Sequence, residues 1–374
     1  MLSQRDLLGL RLRSLLLAGN GSGEPVRVVR HLLAMQAQDF PASMWAVGMR
    51  SQSTLADVEK AYLDGQIVRS WPMRGTLHAL PAEDVGWMQR LTSAKVLGAS
   101  AERRRTHLGL ERQLIERVRE CVVDLLAGGR AASRDVLLGE VAARGVNIEA
   151  HWKYHLIWFL AQTGTLVFGP VAEGEPLLVL ADEWIKQPRD LGREEALAEL
   201  AASYVASHGP VTVDDLAWWS GLGKREIAEG LTLAGDQVAR IESDSRSYWI
   251  APKLTDPVRP IPPSVDLLPA FDEHLLGYRD RTAMLDPAHA PSICPGGNGI
   301  FKPVVTVDGV CAGTWRAASR SALNKLPADR RVPITVTWFN PTTGKTVDPK
   351  LLVEAATNYA HYLGKDQAKV TVSN

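Results

Sequence analysis

The chain has 374 residues, 45% of them apolar and 22% charged, with 42 basic and 42 acidic side chains. That length exceeds one small core and predicts two or three domains or an array of similar units. The composition is that of a soluble globular protein, no apolar run reaches the roughly 18 residues of a membrane span, and a net charge of zero announces no polyanion.

Three distant cysteines, Cys121, Cys294 and Cys311, form neither a metal-ligand spacing nor a disulfide framework. Arginines interrupt the N-terminal MLSQRDLLGLRLRSLLLAG, whose leucines line one helix face. It therefore reads as a helix and not a leader, and the expected location is cytoplasmic. The charge is unevenly placed: residues 1–120 hold 17 basic and 12 acidic side chains. Such asymmetry points modestly to a polyanionic partner, with scattered surface charge as the plain alternative.

In chain order, residues 4–20 read as a helix, followed by the turn Asn20-Gly21-Ser22-Gly23. Pro25 opens a second helix expected to run through Ala37, where Asp39, Phe40 and Pro41 break it. Thr54 caps a third, with Asp57 at the capping-box position. The alternating IVRSWPMRGTLHALP, residues 67–81, predicts a strand pair. Three short helices closed by such a hairpin is the winged-helix order.

Residues 81–98 then read as a helix, followed by the triplet Arg103, Arg104 and Arg105. The triplet is either a solvated face or a phosphate-facing cluster, since guanidinium pairs bidentately with phosphate oxygens. The order repeats with helices over 114–127, 134–145 (capped by Ser133) and 148–162, then the strand pair LVFGP and PLLVLADEW. A third copy runs from Arg193 through a short strand at Val211–Val213, LAWWSGL, GKREIAEGLTLAG and a hairpin with its tip near Ser243 to Arg246. After a Pro-rich linker, Asp308-Gly309 between alternating apolar runs predicts another hairpin, and LLVEAATNYAHYLG a terminal helix. The expected class is thus α+β and mainly helical. Three tandem winged-helix units, 1–110, 111–192 and 193–256, precede a small β-rich C-terminal element, 257–374.

No phosphate-binding glycine loop, HExxH, CxxC or nucleophile elbow is present. His151 and His155 stand four apart without a third ligand, so no metal is expected. FDEHLLGYRD, residues 271–280, gathers carboxylates, a histidine and an arginine. It reads as an internal ion-pair network ahead of a catalytic carboxylate. Gln36 and Gln38 are the unusual feature: two amides beside Leu32, Leu33, Met35, Met44 and Trp45 are costly to bury unless they bond something. On an ideal helix they diverge, and they converge only if the helix ends there.

Converging amides can hold a water but are poor bases. They suit a reaction that needs a placed water more than a deprotonated one. Hydrolysis of an N7-alkylated guanine is such a reaction, because the cationic base leaves readily and the sugar passes through an oxocarbenium-like state. The plain alternative is that the glutamines cap a helix end.

QAQD with WAVGMR, then RSWPMRGTLHALP, LLPAFDEHLLGYRDR and NGIFKPVVTVDGVCAGTW, in that order, resemble the AlkZ/YcaQ family of bacterial DNA glycosylases. The resemblance covers nearly the whole chain. It implies three winged helices in a C-shaped array around duplex DNA, and excision of N7-alkylated purines, including bulky adducts and interstrand crosslinks, with no cofactor. The Gln-x-Gln form resembles the branch that protects antibiotic producers from their own alkylating agents. Carried over, Gln36 and Gln38 would be catalytic. Arg74, Thr76 and His78 would lie by the same pocket, and Arg103, Arg104 and Arg105 would meet phosphates. The expected species is a monomer bound to double-stranded DNA with N7-alkylguanine lesions. A non-catalytic winged-helix regulator or drug-sequestering protein is the competing reading.

Overall fold

Helix α1 (Gln4–Ser14) starts on a capping box in which Ser3 and Asp6 bond each other's backbone N–H groups. It buries Leu8, Leu10 and Leu12. The computed structural model of the chain describes residues 3–373 other than 20, 22, 244–245, 255–260, 319–321, 324–326 and 328–330. Two residues of the first predicted turn, the tip of the third predicted hairpin and the middle of the Pro-rich linker lie outside the described residues.

Helix α2 (Pro25–Leu32) begins at a proline, as expected, but ends five residues early. Leu33 adopts φ 63°, the left-handed region, and turns the chain out of the helix. Met35–Gln36 then form a short strand, β1. The expectation of a helix through Ala37 is therefore corrected. Asp39 does not break that helix but caps the next, α3 (Phe40–Ser51), accepting from the Ala42 N–H at 3.0 Å. Helix α4 (Leu55–Leu63) carries the predicted Thr54–Asp57 capping box.

The strand pair predicted over 67–81 is present as β2 (Ile67–Met73) and β3 (Thr76–Pro81). Its turn, Arg74-Gly75, has positive φ at both residues. That is the twist a two-residue hairpin prefers. Helices α5 (Val85–Val96), α6 (Ala99–His107), α7 (Arg112–Leu126), α8 (Arg134–Ala143) and α9 (Lys153–Gln162) follow. The last starts later than residue 148, after a 3-10 turn. Strands β4 (Leu166–Ala172) and β5 (Glu175–Leu180) close this second run. The two hairpins join at Arg69 and Phe168 into one five-stranded sheet of order β1-β3-β2-β4-β5.

The strand expected through Trp184 ends at Leu180, where α10 (Ala181–Trp184) begins, and the third run holds α11 (Arg193–His208), α12 (Val213–Ser220) and α13 (Lys224–Leu233). The hairpin β6 (Ala239–Ser243) and β7 (Arg246–Ile250) closes it. The expected strand at 211–213 is only a single bridge, Val211 to Trp249. Thr212 caps α12 with Asp215 as its box partner, which pulls Val213 into the helix.

The C-terminal sheet has the order β12-β11-β10-β9-β8. It comprises β8 (Val265–Leu268), β9 (Val304–Val307), β10 (Val310–Ala317), β11 (Val332–Trp338) and β12 (Ala368–Ser373). The Asp308-Gly309 turn joins β9 to β10 as predicted. The helix Pro349–Tyr362 is not the end of the chain's structure. It returns the chain to lay β12 parallel to β11, and the alternation in AKVTVS was the overlooked signal.

One buried cluster runs from α1–α4 through α11–α13 into this sheet, and a second fills the α7–α9 run. A buried ion pair ties the first to the C-terminal part. Arg50 on α3 grips both Asp272 oxygens at 2.8 Å, with both side chains fully buried, and also donates to the Leu15 carbonyl. The expected network in FDEHLLGYRD is therefore present, and it reaches across 222 residues.

Candidate functional site

The two motif glutamines sit in the short extended arc between α2 and α3. Met35 pairs with Ala79 and Gln36 with His78, and the Ala37 N–H bonds the Leu77 carbonyl at 2.8 Å. Side chains alternate on extended backbone, so residues two apart share a face. Met35 and Ala37 go into the core, while Gln36 is half-buried and Gln38 exposed. Gln36 ends a two-residue strand and Gln38 lies in the bend after it, which replaces the expected helix ending at Pro41. The Gln38 N–H donates to Gln36 Oε1 at 2.8 Å, fixing the Gln36 side chain over the motif. The other lone pair of that oxygen and the amide protons remain the chemistry Gln36 can offer a ligand.

Two long-range partners hold the arc. Arg69 on β2 donates from Nε to the Ala37 carbonyl at 2.8 Å, with its guanidinium 5.5 Å over the Phe40 ring. Glu273, on the short helix α14 (Glu273–Leu276), accepts from the Gln36 N–H at 2.9 Å. Its other oxygen accepts from Trp219 Nε1 at 3.0 Å and faces His208 Nε2 at 3.3 Å. Ser207 Oγ meets His208 Nδ1 at 2.8 Å behind it. Burial alone would raise the Glu273 pKa. The hydrogen bond and charge of His208, then the Gln36 N–H, outweigh burial and hold it below the ordinary carboxylate value. A buried anion thus lies directly beneath the motif.

Arg74, Thr76 and His78 fall in the β2–β3 hairpin, and His78 is the cross-strand neighbour of Gln36. Its Nδ1 bonds the Thr76 carbonyl at 2.9 Å, while Nε2 is buried with no partner among the described residues. Burial, then the nearby Arg74 charge, push His78 down to about 4, so it is a neutral imidazole at pH 7. Arg74 stacks its guanidinium 5.1 Å over Trp218. Of these three, His78 stands beside Gln36, Thr76 holds His78 through its carbonyl, and Arg74 acts on His78 by its charge.

The arginine triplet lies elsewhere, on α6. Arg103 and Arg104 are exposed, whereas Arg105 bonds Glu102 and the Leu110 carbonyl. Glu273, His208, Trp219 and Arg69 were not singled out as site residues. Glu273 had a local signal in FDEHLLGYRD. The others had none, since only folding brings them within reach.

These groups also set the acid response. Burial pushes both His78 and His274 to about 4, against 6.5 in an unfolded chain. Between roughly 4 and 6.5 the unfolded state binds more protons, so stability rises with pH and is lost on acidification. Buried Asp266, pushed up to about 6 from 3.8, opposes this below pH 6. His31, His155 and Glu273, all lowered, act with the two histidines. The urea unfolding midpoint should therefore fall steadily from pH 7 to pH 5. A midpoint that rises over that range contradicts the balance.

A model of the family described as DNA glycosylase AlkZ-like matches residues 29–359. Among curated proteins, an interstrand DNA cross-link repair glycosylase of Streptomyces sahachiroi is 24% identical over 325 residues, covering 82% of this chain and 86% of that one. Among solved structures, the S. sahachiroi DNA glycosylase AlkZ superposes with a TM-score of 0.78 at 22% identity, covering 99% of each chain. The protein is a DNA glycosylase, a hydrolase of N-glycosyl bonds, and its α+β fold is that of the solved relative. Within that class, the chain belongs to the DNA glycosylase AlkZ-like family. Membership sets aside the reading as a non-catalytic regulator. Among the described residues, no helix is long and apolar enough to cross a membrane.

Proposed function

We propose that the protein excises N7-alkylated guanine from duplex DNA, with Gln36 and Gln38 as the catalytic pair. The observation that carries this reading is the Gln36 backbone held on the buried Glu273 carboxylate, with the Gln36 side chain tied to the Gln38 N–H. An N7-alkylguanine is already cationic, so its departure needs no strong acid. The barrier lies in steadying the sugar cation and delivering water to it. Gln38, exposed, holds the attacking water by its carbonyl. Gln36, pinned by the Gln38 N–H, presents a fixed dipole to the sugar. Glu273 holds the Gln36 backbone and adds a negative potential under the developing positive charge. His78, neutral at pH 7, borders the pocket without repelling that cation.

The three runs of helices closed by hairpins support a reading as winged helices arranged around a duplex, acting as a monomer. The cross-link named for the Streptomyces relative extends the substrate class to bulky adducts and crosslinks. Self-resistance to an alkylating antibiotic is the corresponding role in the cell. The test is incubation with dimethyl sulfate-treated duplex followed by alkaline cleavage at abasic sites. Wild-type protein should leave abasic sites at N7-methylguanine, and intact strands would overturn the reading.

Arg103 is the phosphate contact we assign on α6, since Arg105 is occupied by Glu102 and Leu110. Arg103→Ala should weaken duplex binding uniformly across sequences. It should also reduce the slope of log K against log salt by about one. An unchanged slope in a fluorescence-anisotropy salt titration removes Arg103 from the interface.

A further inference from the structure

A cavity of about 470 Å³ lies where the Arg74-Gly75 turn, α5, α6, α9 and the end of α12 meet. We propose that it seats a planar aromatic group carried on the N7 arm of a bulky guanine adduct. This rests on the glycosylase reading above.

The size falls in the range of about 300–1,000 Å³ typical of small-molecule sites. One wall is aromatic: Trp158 and His155 on α9 lie with ring centroids 5.1 Å apart, and Tyr154 is beside them. Among the described residues, two that line the cavity keep buried polar atoms without partners, Arg74 Nε and His155 Nε2. His155 is only 2% exposed. An unpaired buried group carries a desolvation cost that a ligand atom of the right kind removes. Arg104 adds a donor from α6. Burial, then the charges of Arg104 and Arg105, hold His155 as a neutral ring. Stacking faces with donors at their edge suit an aromatic ring bearing carbonyl, ether or phenolic oxygens.

The position sets the reach. Arg74 links the two places: it lines the cavity, its charge acts on His78, and His78 faces Gln36 across the ladder. An N7-methyl group does not extend past His78, whereas an adduct with an arm several bonds long reaches the cavity. The cavity therefore discriminates among adducts without touching the chemistry at the glycosidic bond.

The test uses two duplexes, one treated with dimethyl sulfate and one with a mustard carrying a bicyclic aromatic ring on such an arm. Ala101→Trp fills the cavity from α6. His155→Leu removes the unpartnered imidazole and should not lower the thermal midpoint. Each variant should release the aryl adduct about 10–100-fold more slowly and N7-methylguanine at the wild-type rate. Equal loss on both adducts, loss on neither, or inhibition of both reactions by inorganic phosphate would overturn the proposal, the last by making the cavity a phosphate site. If Ala101→Trp fails to fold, His155→Leu decides. Wild-type protein that releases no N7-methylguanine at all would instead refute the substrate reading, so the two failures are distinguishable.

Discussion

The double variant Gln36→Ala, Gln38→Ala should release N7-methylguanine from duplex DNA slower than wild type by a factor on the order of 10²–10⁴, while still binding the duplex. Gln36 is half-buried and Gln38 exposed, so neither truncation opens a core cavity. The hydrogen bond lost inside the arc, from the Gln38 N–H to Gln36 Oε1, leaves a donor at an exposed position that water can satisfy. The unfolding midpoint should therefore move little. Single variants separate the roles. Gln38→Ala removes the placed water, and Gln36→Ala removes the fixed dipole together with the bond that orients it. Because both serve one transition state, their effects should not add. Release at the wild-type rate by the double variant, measured as alkali-labile sites, would remove these residues from the chemistry.

Asp272→Ala should cost about 3–5 kcal/mol of stability, because it strands the Arg50 guanidinium in the core. Arg50 is fully buried, and its bonds to Leu15 and Ala46 carbonyls do not neutralise its charge. Asp272 also caps α14 through the His274 N–H at 2.9 Å, so the same change loosens the helix that carries Glu273. Activity should fall with stability through the Gln36–Glu273 bond. Replacing both partners, Arg50→Met with Asp272→Leu, should recover much of the stability, since an apolar pair of similar volume pays no desolvation cost. Urea denaturation measures both. A loss under about 1 kcal/mol for Asp272→Ala would mean that the pair is hydrated or dispensable.

Local signals located most helices and hairpins. The capping residues Thr54 and Ser133 mark real helix starts, and Asp308-Gly309 marks a real hairpin turn. Local signals failed where tertiary pairing overrode periodicity. Leu33 through Ala37 continue the predicted helix, but backbone bonds from Met35, Gln36 and Ala37 to β3 draw the chain out of it. The strand β12 was missed because its partner β11 lies more than 30 residues away.

The same division holds for the candidate site. By itself the sequence determined which side chains bear the unusual chemistry, two amides separated by one residue, and the turn chemistry that builds the hairpin beside them. Capping and turn preferences act over a few residues, so a linear reading recovers them. Only the tertiary structure decided that the motif leaves α2 as an extended segment, because that depends on β1 pairing with β3. It alone put Glu273 under Gln36 and Trp219 and His208 around Glu273, contacts that span 237, 54 and 65 residues. A buried carboxylate is tolerated only where donors converge on it. That convergence is a property of the packed chain and has no trace in the residues on either side of any one of its members.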